Sequence, residues 1–243
     1  MALDLHQKNG NAGQASDLQI KLNAEFANLT QEQRIKRLYD YFDVSEVLLT
    51  SSFGGSSALI LDLFSKVNKA QKIHFIDTGY HFDETLAYKD QLSAALGMEV
   101  ISVHPQPEAH EVTRKEQWWI DRANECCGFN KVDPLDAILP NYKVWVSGVM
   151  AYQTPQRAHF KIFEESNHLF KFHPIIDMDE AEGNRLIEEL QLPQHPLTFQ
   201  GYGSIGCKYC TFQGKGREGR WTGSDKTECG LHTVSSILTV KEN

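Results

Sequence analysis

Apolar positions along the chain change their spacing several times. Over residues 17–42, DLQIKLNAEFANLTQEQRIKRLYDYF, they recur at helical intervals, as a helix with one buried face requires. Thr30 reads as an N-cap inside that stretch, with Glu32 early in the following turn. The pattern then shortens. EVLLTSSF is a compact apolar run of strand length, closed by Gly54 and Gly55 and followed by the helical SSALILDLFSKV. KIHFIDTG is a second strand with a turn, and DETLAYKDQLSAALG the helix after it. MEVISVHP ends at a proline and gives a third strand, YKVWVSGV a fourth and LFKFHPII a fifth. Strands alternating with helices predict an α/β fold, a doubly wound and mostly parallel sheet. In such sheets ligands lie beyond the carboxyl ends of the strands, which here carry SSFGGSS, DTGYHF and SGVMAYQTPQR.

The periodicity stops near residue 195. GYGSIGCKYCTFQGKGREGRWTGSDKTECGLH is rich in glycine and charge, with little apolar repetition. The expected organisation is a flexible leader over 1–17, an α/β nucleotide-binding domain over 18–195, and an irregular C-terminal segment over 196–243. That segment packs on the domain and is ordered by a ligand or a metal. No internal repeat or low-complexity tract interrupts this plan.

Composition narrows the function. With 243 residues and 41% apolar content there is material for a sizeable core. No apolar run approaches a membrane span, and the polar start MALDLHQKNGNAGQASD lacks the features of a signal peptide. A cytoplasmic protein with reduced thiols is expected. A net charge of −8 argues against nucleic acid and against anionic membranes. The stretch from Lys208 to Lys226 runs the other way: Lys208, Lys215, Arg217, Arg220 and Lys226 face only Glu218 and Asp225. A basic segment in an acidic chain suits one small anionic ligand.

Five cysteines, an odd number, point to metal binding or catalysis rather than a disulfide framework. Four come in pairs: Cys126 with Cys127, and Cys207 with Cys210. The Cys-X-X-Cys spacing brings two thiolates to one centre. Adjacent cysteines are accepted more easily by a cluster of several irons than by one zinc ion. An iron–sulfur cluster, zinc and free buried thiols all stay open at this level. SSFGGSS, with Ser51, Ser52, Phe53 and Gly54, is either a phosphate cradle at a helix N-terminus or a plain tight turn. It lacks the Gly-Lys-Ser/Thr of a Walker A loop and the aspartate of the ATP-pyrophosphatase loop. Lys131, Arg217 and Arg220 are candidate anion ligands, against the plainer reading of a solvated basic loop. Arg157 also reads as a helix-surface charge. Cys229 is a lone cysteine before a glycine near the C-terminus, with Lys226 and His232 close by in sequence. It is either a spare thiol or a nucleophile whose thiolate nearby cations favour.

Taken together, these residues resemble the assimilatory adenylyl-sulfate and phosphoadenylyl-sulfate reductases. The likeness runs from about residue 45 to 233 and rests on SSFG, FIDTGYHFDET, CCGFNKVDPL, WVSGV with YQTPQRA, GYGSIGCKYCT, GREGRW and KTECGLH. It implies an adenine-nucleotide α-hydrolase-like fold, with Cys229 as the nucleophile. It implies a 4Fe–4S cluster on Cys126, Cys127, Cys207 and Cys210, the mark of members that use adenylyl sulfate rather than its 3′-phosphorylated form. Substrate contacts are implied for Ser51, Ser52, Phe53, Gly54, Asp77, Thr78, Gly79, Lys131, Arg157, Arg217 and Arg220. Thioredoxin or glutaredoxin is the implied reductant, and homo-oligomerisation is left open. The chain departs from the family pattern at three places. Met150 and Ala151 stand where two arginines are usual, and Asn130 stands where one precedes the lysine. Three rival readings remain: the same chemistry on phosphoadenylyl sulfate, an iron–sulfur tRNA-thiolating enzyme, and a zinc-stabilised nucleotide sensor. The missing pyrophosphatase aspartate and the acidic charge count against the tRNA-thiolating reading, and the intact KTECGLH against the sensor.

Overall fold

The structure is a computed structural model and describes residues 16–166, 169–222, 226, 228, 230 and 231. The leader falls outside it except at its end. Ser16 caps α1 (Asp17–Phe26) by accepting from the Gln19 amide. Thr30 caps α2 (Gln31–Leu38) in a reciprocal capping box with Gln33, so the helical stretch is two helices broken where the cap residue stands. The core alternates thereafter: β1 (Val47–Thr50), α3 (Ser57–Val67), β2 (Ile73–Ile76), α4 (Asp83–Leu96), β3 (Val100–Val103), α5 (Pro107–Lys115), α6 (Ala123–Cys127), α7 (Asp133–Ile138) and β4 (Val144–Val146). β5 (Phe163–Ser166), β6 (Leu169–Phe172) and α8 (Glu180–Glu189) follow.

The six strands lie in the order β3-β2-β1-β4-β6-β5, all parallel except β5. This is the doubly wound sheet that the alternation predicts, with one addition. β5, the antiparallel edge strand FEES, is not among the five expected strands. Two adjacent glutamates and a single buried residue, Phe163, leave it without the apolar run of an interior strand. Pairing with β6 gives it its structure.

Side chains alternate across the sheet. Val47, Leu49, Ile73, Phe75, Val144, Val146 and Phe172 join the main core with α1 to α4. Leu48, Ile76, Trp145 and Leu169 face the opposite side and form a smaller cluster with Leu135 of α7. Buried Arg34 ties α2 to the chain beyond β6. It donates to the carbonyls of Phe26 and Pro174 and, bidentately, to Asp177 at 2.6 and 2.7 Å. That pair holds the Asp177 carboxyl below the usual carboxylate range.

The segment after residue 195 has more structure than its composition suggests. His195 is fully buried, its ring against Tyr88 and its Nε2 2.9 Å from Thr85 Oγ1. Two short 3₁₀ turns follow, Pro196–Gln200 and Lys208–Cys210. Bridges pair Tyr202 with Gly214 and Thr211 with Arg220.

Candidate functional site

The strand order reverses between β1 and β4, and a crevice opens there at the carboxyl ends of the strands, as the topology requires. It is a cleft of about 980 Å³. Ser51, Ser52, Gly54, Gly55, Ser56 and Ser57 line one side, Ser147, Gly148, Gln153 and Arg157 the other. The C-terminal segment closes it with Gly203–Gly206, Lys215, Arg217 and Arg220. Phe53 holds a left-handed conformation (φ 48°) inside this first loop, its ring buried edge-on to Phe75. A non-glycine residue at positive φ is a strained position of the kind found at ligand loops. No side chain caps α3 at Ser56, in contrast to α1, α2 and α8. Backbone carbonyls take up part of that end instead: the Ser57 amide donates to Gly54 at 3.0 Å and the Leu59 amide to Ser56 at 3.2 Å, while Ser56 and Ser57 line the cleft.

The DTG turn faces a second, smaller pocket rather than the large cleft. Its walls are Thr78, Tyr80, Trp119, Tyr209, Asn130, Lys131 and all four paired cysteines, Cys126, Cys127, Cys207 and Cys210. Asp77 accepts from the Gly79 amide and closes the turn. Gly79 has φ +71°, and a β-carbon there would come 2.6 Å from the His110 ring, so only glycine fits. The Thr78 hydroxyl lies 3.3 Å from Cys207 Sγ, and the Lys208 amide donates to the Tyr80 carbonyl at 2.7 Å. These bonds dock the Cys-X-X-Cys segment onto the turn after β2.

The adjacent cysteines end α6 and run into a π-helical turn, Gly128–Val132. Widened turns of this kind recur at functional sites. The two side chains do not diverge to opposite sides: Cys126 is buried, Cys127 half-buried, and both line the pocket. Burial, then the neighbouring sulfurs, pushes the Cys126 thiol up to about 12. Burial pushes Cys210 up to about 11, while Arg220 and Lys131 pull the other way. Bare thiolates are thus costly here, and a positively charged soft centre would reverse that cost. None of the four is in a disulfide. Among the described residues no group of three or more His, Cys, Asp or Glu side chains is arranged to hold a single metal ion. A four-iron cubane, which gives each thiolate its own iron, makes no such demand, and this donor set fits it.

Lys131 lines both the cysteine pocket and the large cleft. Burial, reinforced by the Lys131 charge, pushes the His81 imidazole down to about 4, so it is neutral at physiological pH. Asn130 is buried and takes an uncharged part. Its amide donates to the Cys126 carbonyl at 2.9 Å and to Thr113 Oγ1 at 3.0 Å, and its oxygen lies 2.8 Å from His110 Nδ1. Met150 is not in the site: it is fully buried in the main core.

The basic segment is not a solvated loop. Arg217, Arg220 and Lys226 gather over the ring of Trp221, at 5.7, 4.3 and 5.6 Å. Lys226 Nζ also bonds Asn124 at 2.6 Å, beside the cysteine helix. Nor is Arg157 a helix-surface charge. It begins a 3₁₀ turn, is buried, and pairs bidentately with Glu228 at 2.9 and 2.8 Å. Sequence reasoning gave no role to Glu228, His110 or the aromatic wall of Tyr80, Trp119 and Tyr209, and marked Asn130 only as a missing cation. Glu228, Tyr80 and Tyr209 lie inside quoted motifs, but their contacts are with residues far away in sequence. Cys229 and His232 lie outside the described residues.

Comparison with known proteins agrees with this architecture. A family model described as phosphoadenosine phosphosulfate reductase domain matches residues 46–213. An adenosine 5'-phosphosulfate reductase of Chelativorans sp. (strain BNC1) is 32% identical over 88% of this chain and 90% of its own length. A protein of the same description from Bacillus thuringiensis (strain Al Hakam) is 35% identical over 77% of this chain and 84% of its own. The crystal structure of phosphoadenylyl-sulfate reductase from Candida auris, a phosphate complex, superposes with a TM-score of 0.68 at 23% identity. It covers 84% of this chain and all (100%) of that one.

Proposed function

The chain belongs to the phosphoadenosine phosphosulfate reductase domain family, and from that premise we propose that it reduces adenylyl sulfate to sulfite and AMP, with thioredoxin or glutaredoxin as the electron donor. The observation that carries this reading is the position of Lys131 on the shared wall of two pockets. One has the size and the polar βα loop of a nucleotide site; the other holds four cysteines. The relatives at 32% and 35% identity are named for the substrate without the 3′-phosphate, which favours adenylyl sulfate over phosphoadenylyl sulfate.

The nucleotide phosphate lies against Ser51, Ser52, Gly54 and the N-terminus of α3. The sulfonyl group lies toward Lys131, Arg217 and Arg220, where cations neutralise the leaving phosphate. The Cys229 thiolate attacks the sulfonyl sulfur, the bond from sulfur to the phosphate oxygen breaks, and AMP leaves with the electron pair. The enzyme then carries an S-sulfonated cysteine. A thiolate of the reductant attacks Cys229 Sγ and sulfite departs. The reductant's second thiol resolves the mixed disulfide, so two electrons pass from dithiol to substrate. Cys126, Cys127, Cys207 and Cys210 hold a 4Fe–4S cluster. When bound, it supplies a fixed charge distribution beside Lys131.

The test is sulfite release by anaerobically prepared protein, with reduced thioredoxin and each nucleotide in turn. Adenylyl sulfate is expected to give the higher kcat/KM; a clear preference for the 3′-phosphorylated form overturns the substrate assignment. Cys229→Ser is expected to keep iron and nucleotide binding and to lose sulfite release, because serine is a far weaker nucleophile at neutral pH. Serine at any of the four paired cysteines is expected to lose iron. A colourless wild-type protein containing zinc refutes the cluster.

A further inference from the structure

Glu228 lies one residue before Cys229, and it is the most completely bound carboxylate in the site. Its side chain is 2% exposed and that of Arg157 8%. Oε1 accepts from Arg157 Nε at 2.9 Å and from Thr154 Oγ1 at 3.0 Å. Oε2 accepts from Arg157 Nη2 at 2.8 Å and from Arg217 Nη2 at 3.2 Å. The seat is itself braced. Arg157 Nη1 donates to Gln153 Oε1, which also accepts from the Met150 amide, and Thr154 Oγ1 accepts from the Arg157 amide. The whole loop after β4 is thus organised around one carboxylate.

The residues around it are held too. Lys226 is tied to α6 through the Ala123 carbonyl and Asn124. Leu231 packs on the smaller core cluster and lines the cleft. Glu228 immediately precedes Cys229 in the sequence, and consecutive α-carbons are about 3.8 Å apart. A carboxylate held by two guanidinium groups in a nearly dry seat is a strong, directional and charge-assisted contact. It is also an exchangeable one, unlike an apolar plug.

We propose that Glu228 is the anchor that sets the reach of Cys229, and that Arg157 is a positioning residue acting through Glu228 rather than a ligand of the substrate. The inference rests on Cys229 being the nucleophile. In the structure Arg157 lines the cleft, but it directs Nε and Nη2 at Glu228 and Nη1 at Gln153, so its donors are engaged by the anchor.

The experiment compares Glu228→Gln, Arg157→Met and their combination in the full-length, iron-loaded protein. Thr154→Val serves as a mild variant that removes one anchor bond without touching charge. Three quantities are read: nucleotide Kd, the single-turnover rate of S-sulfonation without reductant, and the rate of trypsin cleavage after Lys226. Both charge variants are expected to leave Kd within about twofold while slowing S-sulfonation on the order of 100-fold, the scale of a small misplacement of a reacting group. The double variant should be no worse than either single, as residues acting through one contact require. Cleavage after Lys226 should rise at least about tenfold in both, and Glu228→Asp and Thr154→Val should fall between them and wild type. Weaker nucleotide binding in Arg157→Met alone, with additive effects in the double variant, makes Arg157 a substrate ligand and overturns the proposal. Unchanged cleavage in all variants overturns the anchor. If cleavage rises while turnover stays at wild-type level, the anchor holds and it is the assignment of Cys229 that fails.

Discussion

The resemblance expects arginines at residues 150 and 151, so restoring one at Met150 looks like a way to strengthen anion binding. The structure predicts the opposite. Met150 has no exposed surface, belongs to the main core, and is absent from the lining of both pockets. Met150→Arg would carry a guanidinium into the apolar main core. An unpaired buried ion costs several kcal/mol even after the structure relaxes, and the longer side chain overpacks its neighbours. Taking about 4 kcal/mol, against a total stability of about 5–15 kcal/mol, the Tm should fall by roughly 8–16 °C for a domain of this size. The assay is thermal unfolding at a fixed scan rate under anaerobic conditions, beside nucleotide binding. Met150→Leu conserves volume and should cost less than about 1.5 kcal/mol. Ala151→Arg, on a half-buried residue that opens a 3₁₀ turn, should keep the wild-type Tm within a few degrees. A Met150→Arg protein with wild-type Tm and tighter nucleotide binding would show that the side chain faces the cleft, and the burial argument would be refuted.

Gly79→Ala should destabilise by about 1–3 kcal/mol, read as a lower urea midpoint. The cost is a left-handed alanine added to a contact with the His110 ring. Adding His110→Ala should recover part of the loss, and no recovery would assign the whole cost to the backbone. His195 gives a pH prediction. Its Nδ1 accepts from the Leu197 amide, and burial pushes its pKa from 6.5 down to about 4. The folded state therefore binds the proton less readily than the unfolded chain. The stabilisation is complete above pH 6.5 and is lost progressively as pH falls from there toward about 4. The urea midpoint of wild type should drop across that window by more than that of His195→Gln; equal slopes would exclude His195 as the titrating group.

Much of the fold was legible because it is written locally. β1 to β4 and β6 announce themselves by short apolar runs, the break after β1 by Gly54 and Gly55, and the break between α1 and α2 by Thr30. β5 was not legible, because Glu164 and Glu165 deny it an apolar run and pairing with β6 alone makes it a strand. The site divides the same way. The four cysteines were found through their spacing, and they do line one pocket. Beside the substrate contact that the resemblance implies, Arg157 also read as a helix-surface charge, because nothing in its surroundings QTPQRA signals burial. What buries it is Glu228, 71 residues later. Asn130 was noted only as a missing cation, although His110, Thr113 and Cys126 all bond to it.

These two misreadings have a common physical origin. A charged or amide side chain carries no periodicity, so its burial is decided by whichever partner the topology delivers, and that partner is invisible in the local pattern. The consequence bears on the departures from the family pattern. Counting cations along the sequence finds two or three too few. Counting charge in space finds Arg157 and Arg217 both directed at Glu228, and a neutral amide where a third cation is expected. On the proposed function the anionic substrate therefore meets Lys131 and Arg220, with Arg217 shared between it and Glu228. A site with few side-chain cations should lose affinity with salt less steeply than one built on several arginines. It should also depend strongly on the conformation of residues 51–57, where Phe53 already sits at positive φ.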